Sequence, residues 1–435
     1  MLYHAGHSVE TAATPPKMKM KESILDKQDQ LLVLGNGFDL QCGLKSAFAD
    51  FMKTRKALMG EARANIRPKK YQSLYTGPDG PNGKIEGNYR LYHIFWEKGL
   101  TLWDFILFED RQERTWYDVE ECIRTWVDYS YSEERRSCSS HMKEIGRLRE
   151  FPPRALPFPP LGEQSVYLYI RDLYQSDPTK WGVDSILSFL REELRHFEQA
   201  FAIYLLAQQE EYPTYKSKAK VLLSDLITDQ LLPEKQVSAS LSRPRELLES
   251  TSILNFNYTQ PIPEYANRGP SMLNVHGLAG TSNVVFGIDG KNLDPNQDYY
   301  ANTVKFSKTY RLMDLSSRPH RSLVRPYVAG SPGSATEVIK FFGHSLGDAD
   351  YSYFQAIFDE VNLYESETRL IFYYNQNRPN GKGREKEVKE EMFEKVNRLI
   401  TTYGATLDNE DHGRNLLHKL LLEGRLTIKQ APIER

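Results

Sequence analysis

Cysteine is scarce in this chain. Cys42, Cys122 and Cys138 are spread over 435 residues. They make neither a disulfide framework nor a CxxC pair, which argues against a cysteine zinc site and makes a reducing cytoplasm the expected compartment. Long apolar runs are missing too. No stretch approaches the roughly 20 residues needed to cross a bilayer, so no membrane partner is expected. The N-terminal stretch, residues 1–29, lacks the apolar core of a signal peptide and reads as a poorly ordered extension. Net charge is close to zero, −2 with a pI near 6.6, so the whole-chain charge gives no sign of a nucleic-acid or membrane binder. There is no internal repeat. No DxD-like pair sits at a strand end with a nuclease spacing, and no metal is expected.

What the chain does have is aromatic and apolar material for a large core. Tyr and Phe number 26 and 20, and aromatics are 12% of the residues. The run "QLLVLG" (30–35) is short and continuously apolar, as a strand buried on both faces would be. "SAFADFMKTRKALM" follows with apolar residues on one helical face and Ser46 as the expected N-cap. Residues 60–250 then read as helical. The segments 91–108, 115–129 and 183–208 have helical periodicity, with Asp184 an expected N-cap for the last. Turn-rich stretches at 76–88 and 151–162 interrupt them.

After 250, short apolar strands return at 252–256, 272–277, 283–287, 337–343 and 369–375. Helices at 348–361 and 385–404 alternate with the later ones. Alternation of this kind favours a parallel sheet. The expected organisation is a Rossmann-like α/β core from 30–59 and 251–435, with 60–250 as a large helical insertion or cap.

The chemistry concentrates at strand ends. "LGNGFDLQCGL" carries Gly35, Asn36, Gly37, Phe38 and Asp39 where a parallel strand would deliver a phosphate-binding loop. Position 40 is Leu, not the glycine of the usual dinucleotide fingerprint. "NFNYT" places Asn255 and Asn257 two residues apart, hence on one face of an extended end. "NVHG" ends in His276, a residue suited to act as a base near neutral pH. "FFGHSLGDAD" offers Gly343, His344 and Ser345 in another glycine-bounded loop, and "IFYYN" ends in Asn375. Each feature alone has an ordinary structural explanation, such as a tight turn, a core histidine or a capped helix. Together, at the strand ends of one sheet, they would converge on one crevice.

The order of these motifs resembles the nucleotide-binding core of the sirtuin superfamily. In that likeness Gly35, Gly37, Gly43 and Leu44 fall in register with the family's glycine loop, Asn257 matches its functional Asn and His276 its catalytic His. The chain resembles the bacterial AbiH family of abortive-infection proteins more closely. LGNGFD (34–39), Gly43-Leu44, NFNYT (255–259), His276-Gly277 and FGHSLGDAD (342–350) carry that likeness. "WYDVE" (116–120) resembles its WxxxE element, which singles out Trp116 and Glu120.

The resemblance implies antiphage defence. It also implies NAD or a related nucleotide as ligand and substrate, with the chain as an NAD glycohydrolase. Asn257 would orient ribose or water, and His276 would act as the base. Gly35, Asn36, Gly37, Phe38, Asp39, Asn255, Gly343, His344, Ser345 and Asn375 would hold the nucleotide. Self-association and a phage or host protein as trigger are further expectations. Asp39 and Thr259 depart from the sirtuin pattern, which leaves open a nucleotide-sensing or protein-binding module without turnover. A third reading, a metal-dependent nuclease, would gather Asp39, Glu120, Asp348 and Asp350.

Overall fold

The computed structural model describes residues 30–64, 94–108, 116–127, 179–229, 244–261, 270–290, 293–296, 300–315, 322–375, 385–407 and 410–432, with a few single positions between 92 and 177. The N-terminal extension and the turn-rich stretches at 76–88 and 151–162 lie outside them.

Six strands form one parallel sheet. They are β1 (Gln30–Leu34), β2 (Thr251–Asn255), β3 (Ser271–Asn274), β4 (Val338–Phe342), β5 (Arg369–Tyr374) and β6 (Leu426–Gln430). Their order is β3-β2-β1-β4-β5-β6. β1 is central, pairing Leu34 with Asn255 of β2 on one side and with Phe342 of β4 on the other. Chain order therefore reverses between β1 and β4. The residues that follow these strands, from Gly35, Phe256, Val275 and Gly343 onward, leave one edge of the sheet together.

Twelve α-helices are described: α1 (Gly37–Gln41), α2 (Phe48–Ala64), α3 (Leu102–Ile106), α4 (Trp116–Val127), α5 (Val183–Glu211), α6 (Tyr215–Thr228), α7 (Pro244–Glu249), α8 (Tyr300–Thr303), α9 (Lys308–Leu315), α10 (Tyr351–Glu360), α11 (Glu385–Gly404) and α12 (Glu410–Leu422).

The continuous apolar run of β1 is explained by burial on both sides. Leu31 and Val33 face a cluster closed by α10, α11 and α12, through Phe354, Phe358, Leu399 and Leu416. Leu32 and Leu34 face the opposite cluster, closed by Tyr215, Leu222, Leu223 and Leu226 of α6. Each such side chain contributes roughly 1.5–3 kcal/mol by leaving water. A third cluster joins α2, α3, α4 and α5, with Phe48, Phe51, Trp103, Trp126, Phe197 and Phe201 at its centre. Among the described residues between 65 and 250 there is no strand. Even so, α6 from this region covers a sheet face. Lys340, unexpected inside an apolar strand, serves that contact. Its Nζ donates to Leu226 O at 2.8 Å and Ile227 O at 3.0 Å, at the carboxyl end of α6, and burial pulls its pKa down to about 8.

Several local expectations are revised. Residues 283–287 form no strand. Val284 and Phe286 are buried in the helical cluster instead, and Val285 N donates to His276 O at 2.9 Å. The segment 91–108 is not one helix, because the chain turns at Gly99 (φ +73°) before α3 begins. Gly182 stands at the N-cap of α5 in place of Asp184. Ser46 does not cap α2 through its hydroxyl, which donates to Asn36 Oδ1 at 2.6 Å. The loop after β1 already turns helical at Gly37.

Candidate functional site

The glycines after β1 and β4 meet one another. A Cβ at Gly35 would lie 2.4 Å from His344 Cα, and one at Gly37 would lie 2.6 Å from Gly343 Cα. Gly343, at φ +71°, returns the contact, since its own Cβ would be 2.6 Å from Phe38 N. Gly35 N donates to Phe342 O at 2.9 Å, Gly37 N to Gly343 O at 2.8 Å and Phe38 N to Gly35 O at 2.9 Å. Three amides of the expected phosphate loop are thus occupied within the protein. The glycines let two loops interlock at the reversal point of the sheet.

Three asparagines shape the turn after β2. Asn255 Oδ1 accepts from Asn257 N at 3.1 Å and from Asn257 Nδ2 at 2.9 Å, while Asn255 Nδ2 donates to Thr259 O at 2.8 Å. Asn274 Nδ2 donates to Asn257 O and Thr259 O, both at 2.9 Å. Asn257 Nδ2 also donates to Gly35 O at 3.1 Å. This fixes the amide orientation, because a flipped amide would set oxygen against two oxygens. Asn257 Oδ1 is left buried without a hydrogen-bond partner among the described residues.

The turn also explains Asp39 and Thr259. Thr259 Oγ1 donates to Asp39 Oδ2 at 2.7 Å, and Tyr215 Oη donates to Asp39 Oδ1 at 2.7 Å. The two departures from the sirtuin pattern are therefore partners of each other. Asp39 is buried and faces α6. Burial pushes its pKa up to about 6, against the pull of the Tyr215 and Thr259 hydrogen bonds.

The polar residues beyond β3 and β4 join a different group. His276 Nε2 lies 3.2 Å from Asp350 Oδ1, and His344 Nε2 lies 3.3 Å from Asp350 Oδ2. The His276 nitrogen is at ion-pair distance from Asp350 and is buried without a well-formed hydrogen bond among the described residues. His344 Nδ1 accepts from Leu346 N at 2.9 Å, which sets its neutral tautomer with the proton on Nε2. That contact requires Leu346 at φ +55°, a left-handed conformation rare for leucine. Phe256 stands between the imidazoles, 5.5 Å from His276 and 4.4 Å from His344 between ring centres.

A cation completes the group. Lys308, the first residue of α9, places Nζ 3.1 Å from Asp350 Oδ1 and 2.5 Å from Glu120 Oε1 of α4. Its side chain is 6% exposed, against 15% for Asp350 and 19% for Glu120, so the group opens to solvent on its carboxylate side. The two acids titrate far apart. Burial opposes the charge on Asp350, but Lys308 and His276 outweigh it and hold the carboxyl well below its usual range. Glu120, sharing the same ammonium, is pushed by burial up to about 7. Burial and the Lys308 charge lower the His276 pKa, leaving a neutral imidazole at pH 7. Burial opposes the Lys308 charge as well, yet Asp350 and Glu120 raise its pKa overall.

Of the sequence-derived residues, Asn257, Gly35, Gly343 and His344 meet at the β1–β4 reversal, and His276 joins His344 through Asp350. Others stand apart. Asn36 and Asp39 have the partners given above, and Phe38 packs edge-on against Phe342 at 6.2 Å. Ser345 is exposed, and Asn375 Nδ2 donates to Gln41 Oε1. Asp348 is exposed, so of the four acids considered for a metal only Glu120 and Asp350 converge, and a lysine ammonium lies between them. No group of three or more His, Cys, Asp or Glu among the described residues could hold a metal ion. Lys308 had no sequence signal, being one lysine among many. Glu120 was marked by WYDVE, whose Trp116 side chain lies outside what is described.

No described helix is long and apolar enough to cross a membrane. Comparison with curated proteins and with solved structures gave no match. A family model described as "Bacteriophage abortive infection AbiH" matches residues 31–374, which takes in the strand-end motifs except the final Asn375, and Glu120. That match spans well over half of the chain, which therefore belongs to the bacteriophage abortive infection AbiH family.

Proposed function

We propose that the chain is an antiphage defence enzyme that cleaves the N-glycosidic bond of NAD or a related nucleotide, on a Rossmann-like core of sirtuin type. One observation carries this reading: two carboxylates of widely separated pKa share a buried ammonium beside a neutral histidine. Environments that drive paired titratable groups apart are how proteins assign acid, base and charge-stabilising roles. The strand order reverses where such sheets bind ligands, and the group lies along that edge.

The chemistry suits a departing nicotinamide. As the ribosyl C1′–N bond breaks, its electron pair neutralises the nicotinamide ring and positive charge moves to the sugar. Asp350, ionised throughout, and Glu120 above about pH 7 stabilise that charge by preorganisation. Water attacks C1′ and gives its proton to the neutral His276 imidazole, which passes it to solvent. Asn257 Oδ1, the buried acceptor without a partner, takes a hydrogen from the ribose hydroxyl or from the attacking water. In this reading these side chains act on the nicotinamide riboside end of the substrate. The amides of Gly35, Gly37 and Phe38 are already used and do not take its pyrophosphate.

The test compares NAD in phage-challenged cells carrying the wild type, Asn257→Ala and His276→Ala. NAD falls with the wild type and holds with both variants. Undiminished NAD in the wild type sinks the reading. A second reading, a nucleotide sensor without turnover, is favoured by those occupied amides. It predicts intact NAD bound to the purified chain.

A further inference from the structure

The seam between α5 and the chain around α9 holds a cavity of about 260 Å³ whose lining is basic. Arg191, Arg195, Lys305 and Arg311 face it, against a single carboxylate, Glu198. That carboxylate is fully engaged, since Arg311 Nη1 and Nη2 both donate to it and Phe286 N donates to it at 2.6 Å. Among the described residues, the other three cations form no ion pair with a buried carboxylate, although Arg195 lies near enough to Glu198 to favour its charge. Arg195 pairs with the exposed Glu192 at 3.2 Å, and Lys305 donates to the neutral Asn302 at 3.2 Å. Arg191 has no acceptor among the described residues. Tyr310 stands 39% exposed at the rim. In a chain of net charge −2, this concentration of unneutralised positive charge is local.

The pocket adjoins the acid–base group. Arg311 follows Lys308 by one helical turn of α9, and Val285 in the pocket wall donates its amide to His276 O at 2.9 Å. The cavity is smaller than the roughly 300–1,000 Å³ that encloses a drug-sized ligand, so it accommodates a pyrophosphate and part of a ribose but not a dinucleotide. We infer that this pocket binds the phosphates of a nucleotide, with Arg191, Arg195 and Lys305 as the phosphate-holding residues. Guanidinium forks match phosphate oxygens in pairs, and Tyr310 offers a flat face to a base or sugar. The choice of ligand rests on the nucleotide reading above. The existence of the anion site does not rest on catalysis.

Calorimetric titration of the full chain at low salt tests it, with ADP, inorganic pyrophosphate and adenosine as probes. ADP and pyrophosphate bind, adenosine does not, and the affinity falls as salt rises. Replacing Arg191→Ala together with Arg195→Ala weakens both anions by about tenfold or more, and Lys305→Ala weakens them by roughly threefold to tenfold. Lys386→Ala, on the exposed face of α11, changes nothing. Lys305→Ala also serves if the double variant fails to give the wild-type circular dichroism.

The inference is overturned if neither anion binds the wild type, or if both variants bind as the wild type does. It is also overturned if the variants lose binding to an RNA oligonucleotide while ADP binding is untouched. ADP binding through these residues without any NAD cleavage would leave the pocket standing and remove the enzymatic reading. NAD cleavage insensitive to the variants would do the reverse.

Discussion

Two buried charge clusters in this protein use the same kinds of side chain and share their charge differently. In the helical cluster, Arg55 Nε donates to Asp104 Oδ1 at 2.6 Å and Nη2 to Oδ2 at 2.7 Å, while Nη2 also reaches Gly99 O at 2.7 Å. Asp104 takes Thr101 N as well, at 2.7 Å, in the cap of α3. One fork meets one carboxylate, and the pair bolts α2 to α3. At the sheet edge, one ammonium is divided between Glu120 and Asp350, and Asp350 is divided again among Lys308, His276 and His344. The first arrangement commits one cation to one carboxylate. The second leaves a carboxyl near pH 7 and a neutral histidine, which are the groups that proton transfer needs.

The contrast can be broken at either end. Arg55→Ala strands a buried carboxylate and is expected to cost about 3–5 kcal/mol of stability, read by denaturant unfolding. The folded fraction of that variant keeps its activity. Thr259→Val removes a donor from Asp39, a further buried carboxyl that is held by hydroxyls and not by a cation. Its expected cost is smaller, about 1–3 kcal/mol by the same measurement.

Glu120→Gln sharpens the comparison through pH. A carboxyl raised from 4.5 to about 7 contributes stability that is complete below 4.5 and is lost as pH rises through about 7. Stability measured from pH 5 to 8 therefore declines less steeply in Glu120→Gln than in the wild type. If the proposed NAD cleavage holds, its rate in the wild type is expected to rise with pH through about 7 as Glu120 ionises. In the variant that step is missing and the remaining rise lies lower, where His276 loses its proton.

The parts of this architecture that could be read from sequence are those written locally. The apolar runs of β1, β2, β4 and β5 declare strands buried on both faces. The helical period of α5 and α11 is equally plain. β6, "LTIKQ", was missed because it is a half-buried edge strand, and its alternation is short and weak. Residues 283–287 were misread because a short apolar run looks the same whether it pairs in a sheet or packs under a helix.

At the site, Asn257, His276 and His344 were legible because strand ends project side chains into the edge crevice. Asp39 was legible as an anomaly but not as the partner of Thr259, some 220 residues away. Lys308 was illegible for the same reason. Its burial depends on α4, α9 and the segment after β4 arriving at one place, which no local pattern encodes. The glycines stand out in the sequence as a ligand-binding loop would, and in the structure they bring two loops together. They permit two backbones to touch, and a sequence does not distinguish close approach to a ligand from close approach to another loop.

The most direct measurement is free nicotinamide released in phage-challenged cells by the wild type and by His276→Gln, a variant that keeps a polar side chain in the same space, with the unfolding free energies of the two chains taken alongside. The account predicts nicotinamide release from the wild type, a fall of about 10²–10⁴-fold in the variant, and unchanged stability. Equal release by both chains, or none from the wild type, would contradict it.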